Sequence, residues 1–225
     1  MPMFMASALI IGSTGGIGAA VKNVLVKRGD EVVGLSRSVD GLDVTNEASI
    51  KQLFEAHQGQ FDLVLIATGA LTVDGHVPEK SIKALDPSAM VGQFLVNAVG
   101  PALVLKHAIR LLPRDRPSAI VALSARVGSI GDNKIGGWHS YRMAKAALNQ
   151  LIHGAAIELA RTHKRASCVC IHPGTVETLF TKNYAKTNKT VTAEEAAVDL
   201  VRVFDQLTPE HSGGFFDSSG KEIAW

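Results

Sequence analysis

The seven residues Gly12-Ser13-Thr14-Gly15-Gly16-Ile17-Gly18 restrict this chain's fold more than any other stretch. They follow a short, continuous apolar run, Ala6 to Ile11, and precede a segment, Gly16 to Arg28, with Ile17, Val21, Val24 and Leu25 at helical spacing before Gly29. A continuous apolar run suits a strand buried on both faces, which is a parallel-sheet strand. Glycines between such a strand and a helix permit positive φ and let backbone amides approach a pyrophosphate at the helix N-terminus. A glycine triplet alone is a common turn signal; the strand–turn–helix setting is what points to a dinucleotide. The expected cradle is Gly12, Ser13, Thr14, Gly16, Ile17 and Gly18.

The same apolar signature recurs at Glu31 to Leu35, Asp62 to Ile66, Ala119 to Leu123 and Ala166 to Ile171, with helical patterns between at about Glu47–His57, Pro87–Leu111, Tyr141–Arg161 and Ala193–Gln206. This alternation predicts an α/β fold: a single-domain, Rossmann-type, doubly wound parallel sheet with helices on both faces, covering residues 1–225. A hydrophobic share of 46% is enough for its core. With 23 basic against 21 acidic residues and a net charge of +2, neither a nucleic-acid footprint nor a polybasic membrane surface is expected. No apolar run is read as approaching transmembrane length, and the first residues lack the basic stretch of a secretory signal. Cys168 and Cys170 should share one strand face as inert, buried thiols, and the eight histidines are not grouped as metal ligands. The expectation is a cytosolic protein with no metal.

Ligands of such sheets bind at the carboxyl ends of the strands. At the end of the second, Ser36 stands where an NAD site would want an acid for the ribose hydroxyls, and Arg37 follows it. A guanidinium there can grip a 2′-phosphate, which favours NADP(H) over NAD(H). Tyr141 and Lys145, at i and i+4, share a face at the start of a long amphipathic helix. A phenol is a weak acid–base at neutral pH, and a nearby ammonium favours its phenolate.

Together the Gly-x-x-x-Gly-x-Gly turn and Tyr-x-x-x-Lys resemble the short-chain dehydrogenases/reductases over nearly the whole chain. Several roles are implied by that resemblance. Tyr141 would donate or accept the substrate proton, and Lys145 would also hold the nicotinamide ribose. Asp43-Val44, opening the next helix, would meet the adenine. Asn97, in Asn97-Ala98-Val99-Gly100, would distort its helix and hold a relay water. Ala67-Thr68-Gly69 stands in for the family's Asn-Asn-Ala-Gly, with both asparagines lost. His172-Pro173-Gly174-Thr175-Val176-Glu177-Thr178 resembles the Pro-Gly-x-x-x-Thr segment; Pro173, Gly174 and Val176 would line the cofactor site, and Thr178 would bond the carboxamide.

Ser124 to Ile130, then Gly136-Gly137-Trp138, resemble a C-factor-like and sniffer-like carbonyl reductase subgroup. Ungapped comparison puts the catalytic serine's place on Ala125. Ser124 is adjacent and is taken as the catalytic hydroxyl, while Ser129 has nearly the ordinary family spacing. Trp138 and His139 would border the substrate cleft, and Phe180–Val191 would form a mobile cap. The reaction implied is NADP(H)-dependent hydride transfer on a small carbonyl or alcohol; the alternative is a cofactor-binding signalling or sensing protein. A homodimer or homotetramer is expected through the helices Pro87–Leu111 and Tyr141–Arg161, with Phe94, Leu95, Leu151 and Ile152 among the residues available for burial.

Overall fold

The computed structural model describes residues 7–57, 59–178 and 190–225. The predicted cap, apart from Thr190 and Val191, lies outside them. Six parallel strands form one sheet in the order β2-β1-β3-β4-β5-β6: Ser7–Ile11, Glu31–Leu35, Leu63–Ile66, Ser118–Leu123, Ala166–His172 and Phe215–Asp217 for β1 to β6. Successive side chains alternate between the two faces. Leu9 and Ile11 join the core beneath α3 (Glu47–Glu55), α5 (Gly100–Ala108) and α6 (His139–Leu159), whereas Ala8 and Ile10 join the core beneath α1 (Gly16–Arg28) and α7 (Ala193–Gln206). Both thiols, Cys168 and Cys170, fall on the first of these faces, fully buried and unpaired. Burial pushes the Cys168 pKa up to about 12 and that of Cys170 higher, so neither is a nucleophile at neutral pH.

The chain leaves β1 toward β2 on one side and then returns to place β3 on the other. The switch point therefore lies between β1 and β3, where their carboxyl-end loops diverge and leave a crevice. Gly12 makes this possible. It has φ +92°, its amide donates to Leu35 O at 2.8 Å, and a Cβ there would stand 2.7 Å from Ala67 O. Gly34 similarly lets β2 close on the Ser13 side chain.

Three features that refine or depart from the sequence reading have physical causes; the first is a helix after β2 that is shortened, as the seven-residue separation of Ser36 and Asp43 led one to expect. A one-turn helix, α2 (Arg37–Asp40), follows β2, because the Ser36 hydroxyl accepts from Val39 N and so caps it. Pro87–Leu111 is not one regular helix: α4 (Pro87–Phe94) passes into a π-helical stretch, Leu95–Val99, then α5, and ends as a 3₁₀ turn. By length and composition this segment is apolar enough to cross a membrane, with mean hydropathy 1.6, which the sequence reading overlooked. Here it packs into the core and carries the buried polar residues Gln93 and Asn97. Finally, α6 begins at His139, two residues before the predicted start, and Ile152 lies wholly in the protein's own core rather than on an outer face.

The crossing of turn and helix at Gly18 has no spare room, since a Cβ there would overlap the Gly12 carbonyl. Gly18→Ala is expected to destabilise the protein by about 1–3 kcal/mol, read as a lowered urea midpoint with unchanged slope. A midpoint equal to the parent's would show that the turn can yield.

Candidate active site

A cavity of about 1200 Å³ opens along the carboxyl edge of β1, β3, β4 and β5. That exceeds the usual span of a small-molecule pocket and suits a dinucleotide plus a small substrate. At one end lie Thr14 to Ile17 of the glycine turn and Ala67 to Gly69 after β3; at the centre lie Ser124, Tyr141 and Lys145; Pro173 to Thr178 form another wall.

The glycine-turn end fits an anionic group. Helix α1 has no side-chain cap at Gly15 and no acidic residue in its first turn, so its amides and dipole face the cavity uncompensated. A Cβ at Gly16 would meet Thr178 Cγ2 at 2.5 Å, so Thr178 lies directly over the turn. The Thr68 hydroxyl is buried with no protein partner, a further polar group suited to a ligand.

Lys145 and Tyr141 stand one turn apart on α6. Lys145 is 3% exposed, and its ammonium donates to Leu123 O at 2.9 Å and lies 5.9 Å from the Tyr141 ring centroid. Burial pulls its pKa down to about 8, which leaves it mostly cationic at neutral pH. The expectation that Lys145 depresses the Tyr141 pKa is not met here. Burial of the phenol dominates and pushes its pKa above the ordinary value, so the resting group is firmly protonated.

Asn97 is fully buried in the π-helical stretch. Its Oδ1 accepts from Ala70 N at 3.0 Å, and its Nδ2 donates to Ala70 O at 2.8 Å and to Gln93 Oε1 at 2.8 Å. In the widened turn the amide bonds both the loop after β3 and Gln93 one turn back on its own helix. Gly69 completes the lock, since a Cβ there would come 2.8 Å from Asn97 Oδ1 and 3.6 Å from Lys145 Nζ.

Ser124 is buried at the end of β4 and donates to Asn149 Oδ1 at 2.6 Å, leaving Asn149 Nδ2 without a protein partner. Tyr141, Lys145 and Asn149 thus form one buried stripe along α6. Ala125 also lines the cavity. Ser129 does not: its hydroxyl donates to Ala224 O at 2.6 Å and accepts from Asp132 N.

Several anticipated cofactor residues lie beside this cavity and not on it. Gly12, Ser13 and Gly18 form the underside of the turn. Ser36 is occupied as a cap, its amide and hydroxyl both donating to Asp40 Oδ2. Arg37 is exposed on α2, which the 3.1 Å Ser38–Thr14 hydroxyl contact joins to the turn. The Asp43 carboxylate is engaged by the hydroxyl and amide of Thr45, which hold its pKa below the usual range, and Asn46 rather than Asp43 caps α3. Val44 packs against Gly100.

The sequence reading missed Glu79. Helix α6 has no cap of its own, because Trp138 enters it at φ +52° after Gly136 and Gly137 at φ +68° and +66°. The buried Glu79 carboxylate accepts from the Ser140 amide at 3.2 Å and from its hydroxyl. Burial favours the protonated acid, but these bonds outweigh it and hold the pKa below normal. A cap drawn from a residue so distant in sequence leaves no local signal. His172 also lines the cavity. Burial and, less strongly, Arg126 bring its pKa to about 4, and its Nδ1 has no protein partner. Among the described residues no cluster of His, Cys, Asp or Glu is arranged for a metal.

A doubly wound sheet with an anion cradle at the switch point and a buried Tyr–Lys pair beside it defines a nucleotide-binding oxidoreductase scaffold. The sequence matches the family described as "Enoyl-(Acyl carrier protein) reductase" over residues 18–212. It is 31% identical to 1-hydroxy-2-glutathionyl-2-methyl-3-butene dehydrogenase of Rhodococcus sp. (strain AD45), over 98% of this chain and 100% of the relative. It is 33% identical to C-signal of Myxococcus xanthus, over 63% of this chain and 81% of the relative. In fold it is similar to the NADPH-bound carbonyl reductase from chicken fatty liver (TM-score 0.83, 22% identity, 99% and 100% of the two chains) and to the carbonyl reductase Sniffer of D. melanogaster (0.79, 19%, with the same coverage). The chain belongs to the short-chain dehydrogenase/reductase family of oxidoreductases.

Burying the Lys145 cation has a pH signature. Its pKa is about 8 folded against 10.5 unfolded, so between these values the unfolded chain binds more protons and stability rises with pH. Below about 8 the burial penalty is constant, and above 10.5 it is gone. The urea midpoint of the parent relative to Lys145→Met should therefore climb across that window. A flat difference would show that the ammonium is not buried.

Proposed function

We propose that this protein is an NADP(H)-dependent carbonyl reductase with Tyr141 as the proton donor. The observation that carries the reading is the buried Tyr141–Lys145 pair at the centre of a cavity whose far end is an anion cradle. Bound nicotinamide would supply or accept the hydride. Tyr141, held protonated by burial, is in the state needed to give a proton to a carbonyl oxygen. Lys145, fixed on Leu123 O, presents a cation near the phenol and favours its ionised form once the proton has left. Asn97 holds the loop that floors the cofactor site.

Ser124 supplies the second donor to the carbonyl oxygen once its own proton is released from Asn149. Turning the Asn149 amide by half a turn would have Nδ2 donate to the serine oxygen, satisfying the orphaned NH₂ and freeing the hydroxyl proton for the cavity. Arg37, carried by α2 next to the glycine turn, is the residue we assign to the 2′-phosphate. The exposed side chains of Phe94 and Leu95 support pairing of two copies where α4 passes into the π-helical stretch. A second reading, a nucleotide-binding sensor with little turnover, draws on the present engagement of the Ser124 hydroxyl and on the similarity to C-signal.

Turnover of NADPH with a panel of small ketones and aldehydes tests the two readings. Tyr141→Phe should lower kcat about a hundred- to ten-thousandfold. Ser124→Ala should lower it about a hundred- to a thousandfold with NADPH affinity retained. Parent turnover no faster than that of Tyr141→Phe would favour the sensor.

Cofactor choice is tested separately by dissociation constants. NADPH should bind about ten- to a hundredfold tighter than NADH, with Arg37→Ala removing most of the difference. Equal constants in the parent would refute the assignment of Arg37.

A further inference from the structure

We propose that Arg142 is an anion anchor in the substrate cleft, so that the preferred substrates are carbonyl compounds carrying a carboxylate. The proposal rests on the reductase reading for the reaction and adds the substrate class.

Arg142 follows the proton donor on α6 and lines the cavity beside Trp138 and the loop after β4. Its guanidinium is held by three backbone carbonyls: Nε donates to Gly137 O at 2.9 Å, Nη1 to Val127 O at 3.2 Å and Nη2 to Gly136 O at 3.2 Å. Those carbonyls orient the group but carry no net charge. Three of its five N–H donors are used, and two remain. No carboxylate pairs with it among the described residues, and the remaining residues of the chain contain no Asp or Glu.

The contrast with its neighbour is direct. Arg126, on the same wall, is bound by Asp132 at 3.1 Å and by Asp217 at 3.3 Å, so its charge is already answered. Arg142 is half-buried and further from solvent screening, yet unanswered. A cation kept partly dry without a counter-ion is costly unless a ligand supplies one. A guanidinium fixed beforehand by its own loop also loses little freedom on binding a carboxylate, which two parallel N–H groups can grip together. Lys134 at the same rim likewise lacks a carboxylate partner, but it is exposed and adds mainly long-range attraction.

The competing role for Arg142 is that of a brace for the loop carrying Gly136 and Gly137, and the two roles separate by ligand charge. Calorimetric titration of the NADPH-saturated protein with 4-phenylbutanoate and with the isosteric, uncharged 4-phenylbutanamide compares a carboxylate with its neutral counterpart. The acid should bind about tenfold tighter or more, and Arg142→Gln should bring the ratio to near one. Arg142→Lys, which keeps the charge but not the fork, should retain part of it. Equal binding of acid and amide to the parent, or a preference that survives in Arg142→Gln, overturns the proposal. Parallel loss of both ligands in Arg142→Gln also overturns it, in favour of the brace. The titration needs no turnover, so failure of the reductase reading would show in the ketone assay and not here. Should Arg142→Gln not fold, Arg142→Lys decides: a reduced acid preference there supports the anchor, and an undiminished one refutes it.

Discussion

The hydrogen bond from the Lys145 ammonium to Leu123 O is the contact on which the rest of this site depends. It joins the end of the second turn of α6 to the carboxyl end of β4 and keeps a cation buried. Taking a charge out of water is costly, so everything near it is arranged to make room for it. Gly128 must lack a side chain, because a Cβ would come 2.9 Å from the Lys145 backbone carbon. Gly69 approaches the ammonium itself and is pinned there through Ala70 by Asn97. Asn97 can reach only because its helix widens at Leu95–Val99. Gln93 and Asn97 thus brace the loop that closes on the cation, at the cost of a regular helix at Leu95–Val99.

Much of the fold was legible because its signals are local. The boundaries of α1 and β2 agree with the sequence reading residue for residue: a buried strand is a continuous apolar run, and Gly29 ends α1 in the left-handed conformation that glycine favours. The Tyr141–Lys145 pair was legible for the same reason, as helical spacing alone puts both on one face. What stayed hidden depends on distant partners. Strand β6 has three residues and gains its identity by pairing with β5, so it has too little length to announce itself. Glu79 reads as one acid in a polar loop until Ser140 is placed against it. The state of Ser124 turns on Asn149, two helical turns beyond Tyr141. The pKa of Tyr141 is decided by burial, which spacing does not report.

The two ends of the cavity differ in how their charge is handled. At the glycine turn the positive character belongs to the backbone, as uncapped amides of α1, and no side chain need be ordered to create it. On the opposite wall it belongs to side chains, Arg126 and Arg142, each oriented by a different means: carboxylates for one, carbonyls for the other. Between them the centre holds the buried Lys145 cation beside the protonated Tyr141, and the neutral His172 lines the same cavity.

The wall after β4 is also tied to the far end of the sequence: Ser129 bonds Ala224 O, Gly131 bonds Trp225 O, and the Trp225 ring stacks on Phe215. The glycine turn is tied to late residues as well: Leu35 and Ala67 lie early, but Thr178 covers Gly16 and α1 packs along α7. During synthesis from the N-terminus, neither end of the cavity can therefore be completed until residues beyond Ala193 have emerged.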